Sequence, residues 1–201
     1  MLVISSPSGA GKTSLAKRLL QGDDQISMSI SMTTRPARPG EIEAQDYFFV
    51  DQKQFEQAIE AGDLLEWAEV FGNFYGTPKR HVEEQLKQGR DIMSDIDWQG
   101  TQALHEQVGH DLVRVFILPP SVAALEERLR GRGQDDDAVV KKRMSDAANQ
   151  ISHWAEYDYV IINEDLDVSY KELKHILYAE RLKRERRIGL SSFVRTMVKK
   201  M

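Results

Sequence analysis

The sequence predicts an α/β fold, a parallel sheet with helices on both faces, and three observations carry that expectation. Short β-rich apolar runs alternate with helix-period segments along the chain. A glycine-rich turn stands directly between the first such run and the first helix. Leu112 to Leu118 reads as a buried strand, stopped by Pro119-Pro120.

Leu2-Val3-Ile4 is the first strand, and a periodic helix runs from about Lys12 to Leu20. Ile26 to Met32 alternates apolar residues with Ser and reads as a second strand. Thr33 to Gly40 holds two Pro, two Arg and a Gly, so it is a loop and a hinge. Tyr47 to Val50 is a strand, with Asp51 as N-cap of a helix running to about Ala61. Leu64 to Val70 and Asn73 to Tyr75 are strand-like, which makes this stretch a small mixed lobe. Pro78 opens the next helix and Gly89 ends it. Asp91 to Ile96 returns to strand, followed by a helix over about Gly100 to Val108. Ser121 caps a helix that reaches Arg130, Gly131-Arg132-Gly133 breaks it, and another begins near Asp136. Tyr159 to Ile162 is the last strand, and a long C-terminal helix follows. The chain therefore reads as a single domain with core segments 1–32, 78–128 and 146–201. Two inserts, 33–77 and 129–145, read as mobile lobes on that core.

With 201 residues, 41% apolar and 29% charged, the composition is that of an ordinary soluble globular chain. Cysteine is absent, which excludes a disulfide framework and a Cys-based zinc site and suits a reducing, cytoplasmic setting. No signal peptide or membrane span is read. A net charge of −5 argues against a general nucleic-acid binder, and the five His show no metal-ligand spacing. The run Asp135-Asp136-Asp137 reads as a helix N-terminus. The basic segment Arg181–Met201 is open to three readings: packing on the core, self-association into a homo-oligomer, or fraying.

Ser6-Pro7-Ser8-Gly9-Ala10-Gly11-Lys12-Thr13 fits G-x-x-x-x-G-K-[ST] except that Ser6 replaces the first glycine. This is a P-loop, and with the alternating strands it narrows the fold to the P-loop NTPase type. Glycines let successive N–H groups turn inward toward phosphate oxygens, and the following helix adds its positive end. Lys12 reaches the β- and γ-phosphates of ATP, and the Thr13 hydroxyl can ligate Mg²⁺. Ser14 completes the ATP-binding stretch. Serine at position 6 is small and leaves the inward N–H groups of residues 8–13 in place.

A P-loop does not name an acceptor. Arg35 and Arg38, three apart on a Pro-stiffened loop, make a fork for a phosphate monoester, with Ser31 adding a hydroxyl. Either arginine alone would read as an exposed basic loop. Asp95 and Asp97 end a strand where a metal-orienting acid belongs, and the residues alone do not separate their roles.

The segment Ser31-Met32-Thr33-Thr34-Arg35-Pro36-Ala37-Arg38-Pro39-Gly40-Glu41 resembles the signature of the guanylate kinase family. Asp46-Tyr47, Glu66-Trp67, Gly72 to Thr77, Asp95 to Gly100, Gly131-Arg132-Gly133 and Arg143 follow in that family's order, up to about Arg184. The resemblance implies ATP and GMP, with dGMP beside it, as substrates and Mg²⁺ as cofactor. It implies that Ser31, Arg35, Arg38, Tyr47 and Tyr75 hold the GMP phosphate and that Glu66 and Thr77 face the guanine. The chemistry agrees. A carboxylate accepts from guanine N1–H and N2–H₂ and a hydroxyl donates to O6, whereas adenine offers the opposite polarity. Asp95 is expected to orient Mg²⁺ with Thr13, and Asp97 to reach the bound nucleotide. The resemblance also implies that Arg132 and Arg143 clamp the transferring group with Lys12, and that Asn163 lies near the adenine of ATP. Arg128 and Arg130 read as helix surface charges. The acceptor phosphate is already ionised near neutral pH (second pKa about 6), so no general base is expected.

Overall fold

The computed structural model describes residues 1–70, 72–131 and 137–201, with only the backbone of 137 and 138. Five parallel strands form the core sheet: β1 (Leu2–Ser5), β2 (Ile26–Met28), β7 (Asp91–Ser94), β8 (Val113–Leu118) and β9 (Tyr159–Ile162). Their spatial order is β2-β7-β1-β8-β9. The period-2 alternation of strand side chains assigns the two faces. Leu2 and Ile4 join Val113, Val115, Ile117 and Ile161 on one face, beneath α1 (Lys12–Gly22) and α7 (Leu166–Leu182). Val3 and Ile92 look the other way, against Val82 of α3 (Lys79–Lys87) and Leu104 of α4 (Trp98–Val108). Leu15, Leu19 and Leu173 are fully buried, so the helix-period stripe read from the sequence is the surface that covers the sheet.

A second sheet, β4-β3-β6-β5, comes from β3 (Ser31–Thr33), β4 (Tyr47–Phe49), β5 (Leu64–Val70) and β6 (Asn73–Pro78). Here β3 pairs with β4 in parallel and with β6 antiparallel, while β5 and β6 form a hairpin. Helix α2 (Gln52–Glu60) lies between β4 and β5. Asp51 caps it, accepting from the Gln54 N–H at 2.8 Å, and the Gln54 side chain returns a bond to the Asp51 N–H. This reciprocal capping box stabilises the start of a short helix by about 1 kcal/mol. Fully buried Phe55 stacks on Phe74 and anchors the helix to the sheet.

Two sequence expectations are corrected. The single strand expected over 26–32 is two strands in two different sheets. The Ser29 N–H donates to the Met93 carbonyl at 2.7 Å, the last tie to β7, and the chain then crosses into the second sheet as β3. The long C-terminal helix is also two helices, α7 and α8 (Leu190–Lys200). The α7 helix ends where Lys183 turns extended, and α8 begins after Gly189 at φ 84°, a left-handed conformation suited to glycine. Between α4 and α7 lie α5 (Val122–Gly131), capped by the Ser121 hydroxyl, and α6 (Asp137–Ser152). Leu125 and Leu129 of α5 pack on Ala147 of α6.

Candidate functional site

The phosphate cradle leaves the C-terminal end of β1 and enters α1 at Lys12. Gly9 at φ 93° and Gly11 at φ 98° occupy the left-handed region that an inward-turning loop requires. Gly11 also lacks room for a side chain, because a Cβ there would lie 2.2 Å from Asn163 Nδ2. That amide, at the end of β9 and buried, donates to the Ala10 carbonyl at 2.7 Å. Asn163 therefore fixes the shape of the loop, a role its sequence position does not reveal. The Asn163 carbonyl in turn accepts from Arg128 Nη2 at 3.0 Å. Arg128, expected to be a surface charge, instead lines a depression of about 560 Å³ beside Gly9, Gly11, Ser14 and Asn163. Its placement arises because it faces inward one turn before α5 ends, which helix period alone does not distinguish from an outward turn.

Facing the cradle is a cleft of about 260 Å³ between the two sheets. It brings together Lys12, Ser31, Tyr47, Glu66, Tyr75, Asp95 and Asp97, residues spread over 86 positions of sequence. Lys12 Nζ forms an ion pair with Asp95 Oδ1. Asp97 instead caps α4, accepting from the Gly100 N–H at 2.9 Å. The structure thus distinguishes two carboxylates that the sequence leaves equivalent. Beneath them runs a buried hydroxyl chain: Ser5 Oγ donates to the Ile96 carbonyl at 2.8 Å and lies 3.1 Å from Thr101 Oγ1. Thr101 donates to the Asp97 carbonyl at 2.7 Å, and the Tyr157 hydroxyl donates to Thr101 at 3.2 Å.

Glu66 and Thr77 are opposed across the β5–β6 hairpin, and the Thr77 hydroxyl donates to Glu66 Oε1 at 2.6 Å. Both side chains are buried. Burial pushes the Glu66 carboxyl up to about 7; the Thr77 bond opposes the rise and the nearby Asp97 adds to it. Gly100 is needed at this point, since a Cβ there would lie 2.9 Å from Glu66 Oε2.

At the mouth, the Arg35 guanidinium lies 5.3 Å above the Tyr47 ring, and Tyr47 meets Tyr75 edge-on at 6.1 Å. Burial raises the Tyr47 phenol, keeping it protonated and a donor. Arg35 also pairs with Glu41 at 2.8 Å, and Glu41 accepts from the Arg38 N–H at 2.7 Å. Glu41 thus draws on both arms of the fork, while the Arg38 side chain is exposed on the loop and does not line the cleft. Thr33 and Thr34 hold this loop to β6 through Phe74: the Thr33 hydroxyl donates to its carbonyl and its N–H donates to Thr34. Arg143 stands half-buried on α6, and Arg132 lies outside the described residues.

The oxygens here that could hold a divalent cation are the Thr13 hydroxyl, exposed in the first turn of α1, and the Asp95 carboxylate beside Lys12. Among the described residues no group of three or more His, Cys, Asp or Glu forms a ready-made cage. So small a set of hard oxygens fits Mg²⁺, which takes much of its shell from water and substrate phosphates.

The guanylate kinase profile matches residues 1–180. The chain belongs to the guanylate kinase family. Among relatives, a guanylate kinase from Nitrobacter winogradskyi is 56% identical, covering 100% of this chain and 92% of its own length. One from Bradyrhizobium diazoefficiens is 57% identical, over 97% of this chain and 89% of its own. The crystal structure of guanylate kinase from Anaplasma phagocytophilum superimposes with a TM-score of 0.79 at 40% identity, covering 98% and 93% of the two chains. As a guanylate kinase the chain is a nucleotide-binding transferase, an ATP:GMP phosphotransferase by family.

Proposed function

We propose that the cradle of residues 6–14 holds ATP, that the cleft holds GMP, and that the γ-phosphoryl group passes in line between them, giving ADP and GDP. The observation that carries this reading is the buried Glu66–Thr77 pair in the same cleft as Lys12. An ionised Glu66 accepts from guanine N1–H and N2–H₂, and the Thr77 hydroxyl turns toward O6. Adenine would set its N1 lone pair against the carboxylate and leave buried polar groups unpaired. Ser31, Tyr47, Tyr75 and Arg35 surround the acceptor phosphate, with Arg38 reaching it from the loop and Arg35 exchanging Glu41 for the phosphate. Asp97 supports the base from the cap of α4, and Asn163 borders the depression where the adenine of ATP lies.

Lys12 leaves Asp95 for the β- and γ-phosphates, and the freed carboxylate and the Thr13 hydroxyl would hold Mg²⁺. When bound, Mg²⁺ neutralises charge on the phosphates. Arg143, with Arg132, clamps the group in flight, so catalysis rests on alignment and charge. The acceptor oxygen arrives ionised and needs no base. We further propose that segments 33–77 and 129–145 act as lobes that close over core segments 1–32, 78–128 and 146–201 and expel water. A cytoplasmic enzyme acting on GMP and dGMP, binding neither nucleic acid nor membrane, is the finer reading. Among the described residues no helix is long and apolar enough to cross a membrane.

The test is ADP release with GMP, dGMP, AMP, CMP, UMP or ribose bisphosphate as acceptor. GMP is expected to exceed AMP in kcat/KM by a factor of at least about 100. Equal use of AMP and GMP overturns the assignment of Glu66 and Thr77.

A further inference from the structure

Helix α6 ends at Ser152, and the segment after it is fastened to the start of α4 by three contacts. The rings of Trp98 and His153 stack face to face, 3.6 Å between centroids and 9° from parallel. The Tyr157 hydroxyl donates to Thr101 at 3.2 Å, and Gln102 Nε2 donates to Glu156 Oε2 at 2.7 Å. Residues 98, 101 and 102 share one face of α4, and 153, 156 and 157 repeat the same spacing opposite them. The other Glu156 oxygen lies 2.7 Å from His153 Nδ1, so this carboxylate ties the joint from both sides. Tyr157 roots it in the core, edge-on to fully buried Phe116 of β8 at 4.9 Å.

The two sides of this joint belong to different parts of the site. Trp98 directly follows Asp97, whose carboxylate caps α4 and lines the cleft. His153 directly follows α6, the helix that carries Arg143. Along α6, Arg143 stands about 15 Å from this root, ten residues at the helical rise. A tilt of about 10° at the root would carry it about 2.6 Å, and a misplacement of about 1 Å can cost about 100-fold in rate. Helix α6 also rests on α5, through Ala147 on Leu125 and Leu129, but that contact is apolar and non-directional. The stacked rings and the hydrogen bonds of the joint are directional, so they are what sets the angle of α6.

We propose, resting on the assignment of the cleft to GMP, that Trp98 and His153 are positioning residues that couple the cleft to α6. GMP drawn against Asp97 steadies the start of α4, and the stack passes that order to the root of α6 and so to Arg143. GMP and the nucleotide in the cradle then bind cooperatively. Neither Trp98 nor His153 lines the cleft or the depression beside the cradle, so both act through their neighbours. The route from Asp97 through Trp98 and His153 into α6 is short and contiguous. A stack that only packed the surface of α4 would add stability and leave cooperativity untouched.

The test is calorimetry on the full-length chain, with MgADP titrated in the presence and absence of saturating GMP, a pair with no γ-phosphoryl group to transfer. Wild type should bind MgADP at least about fivefold tighter with GMP present, and GMP tighter by the same factor with MgADP present. His153→Ala should bring that factor to about one while each ligand alone binds within about twofold of wild type. Its kcat should fall by about tenfold or more. His153→Phe keeps a flat ring over Trp98 and should restore both readings. Trp98→Ala should match His153→Ala, and the double variant should be no worse than either, because the same stack is lost in all three. Gln102→Ala, at an exposed position that folding tolerates, loosens the same joint and should lower the factor by about half or more. Cooperativity that survives in His153→Ala or is unchanged in Gln102→Ala overturns the proposal, as does an additive double variant or a failure of His153→Phe to restore it. Wild type that binds GMP and MgADP independently also overturns it, while leaving the cleft as the GMP site. Wild type that fails to bind GMP overturns the reading of the cleft and the proposal together.

Discussion

Glu66 and Thr77 face each other across the β5–β6 hairpin, joined by a 2.6 Å hydrogen bond that is closed off from water. The carboxylate that would read guanine is thus held by the hydroxyl that would read O6. Glu66→Gln replaces an acceptor by an amide N–H that opposes a guanine donor. GMP kcat/KM should fall by about 100-fold or more, with KM for ATP unchanged. Equal damage to both substrates in steady-state kinetics would remove Glu66 from base recognition.

The raised Glu66 value also sets a pH dependence. Its ordinary value is 4.5 and its folded value about 7, so the fold favours the neutral acid. The stability this contributes is fully present below 4.5 and is lost as pH rises through about 7. Glu66→Gln should therefore stabilise the protein at pH 8 relative to wild type, by up to about 3 kcal/mol, with the gain fading toward pH 4.5. Guanosine binding should show the reverse slope, weakening about tenfold per unit below about pH 7. Guanosine carries no phosphate, so calorimetry with it isolates the Glu66 titration.

Gly100→Ala should separate stability from recognition. Alanine suits a helix interior better than glycine by about 1 kcal/mol. Yet the new Cβ would lie 2.9 Å from Glu66 Oε2 and force the carboxylate aside. A folded protein with GMP KM raised by about tenfold or more is expected. Unchanged GMP kinetics would mean that Glu66 has freedom to move.

Asn163→Ala removes the donor to the buried Ala10 carbonyl, at a cost of about 1–3 kcal/mol. The loss should appear as a higher KM for ATP with KM for GMP little changed. A variant with full ATP affinity would show that the loop keeps its shape without the clamp.

Lys12→Met leaves Asp95 without its ion-pair partner and the phosphates without their cation. Turnover should drop by about 1,000-fold or more while the unfolding midpoint stays near that of wild type, since the ion pair that is lost is partly exposed to solvent. Residual turnover near wild type, measured by ADP release, would contradict the role given to the cradle.

Much of the core could be read locally because its causes are local. The glycine turn between β1 and α1, the Asp51–Gln54 cap and the span of β9 each depend on residues a few positions apart. The cleft proposed for the acceptor was approachable because its residues fall in a recognisable order, although their assembly depends on hairpin register. What escaped was long-range. The bond from Asn163 to Ala10 spans 153 positions, and nothing near residue 163 announces it. The inward turn of Arg128 depends on a partner 35 positions away, and the claim of Glu41 on Arg35, though only six positions apart, depends on how the loop between them folds back. The split of 26–32 between two sheets was hidden because both halves have the same alternating texture.

The cradle grows from the end of β1, and Asp95 follows the end of β7, the strand bonded directly beside it. Adjacent strands in any sheet stand about 4.8 Å apart, a spacing set by the peptide hydrogen bond itself. The hydroxyl chain from Ser5 through Thr101 to Asp97 ties those two strand ends together. The backbone anchors of the proposed donor and metal sites are therefore set by a ruler made of main chain, which side-chain substitution can barely stretch. Evolution can retune affinity at the rim through the arginine loop and the β5–β6 hairpin while that interval stays fixed.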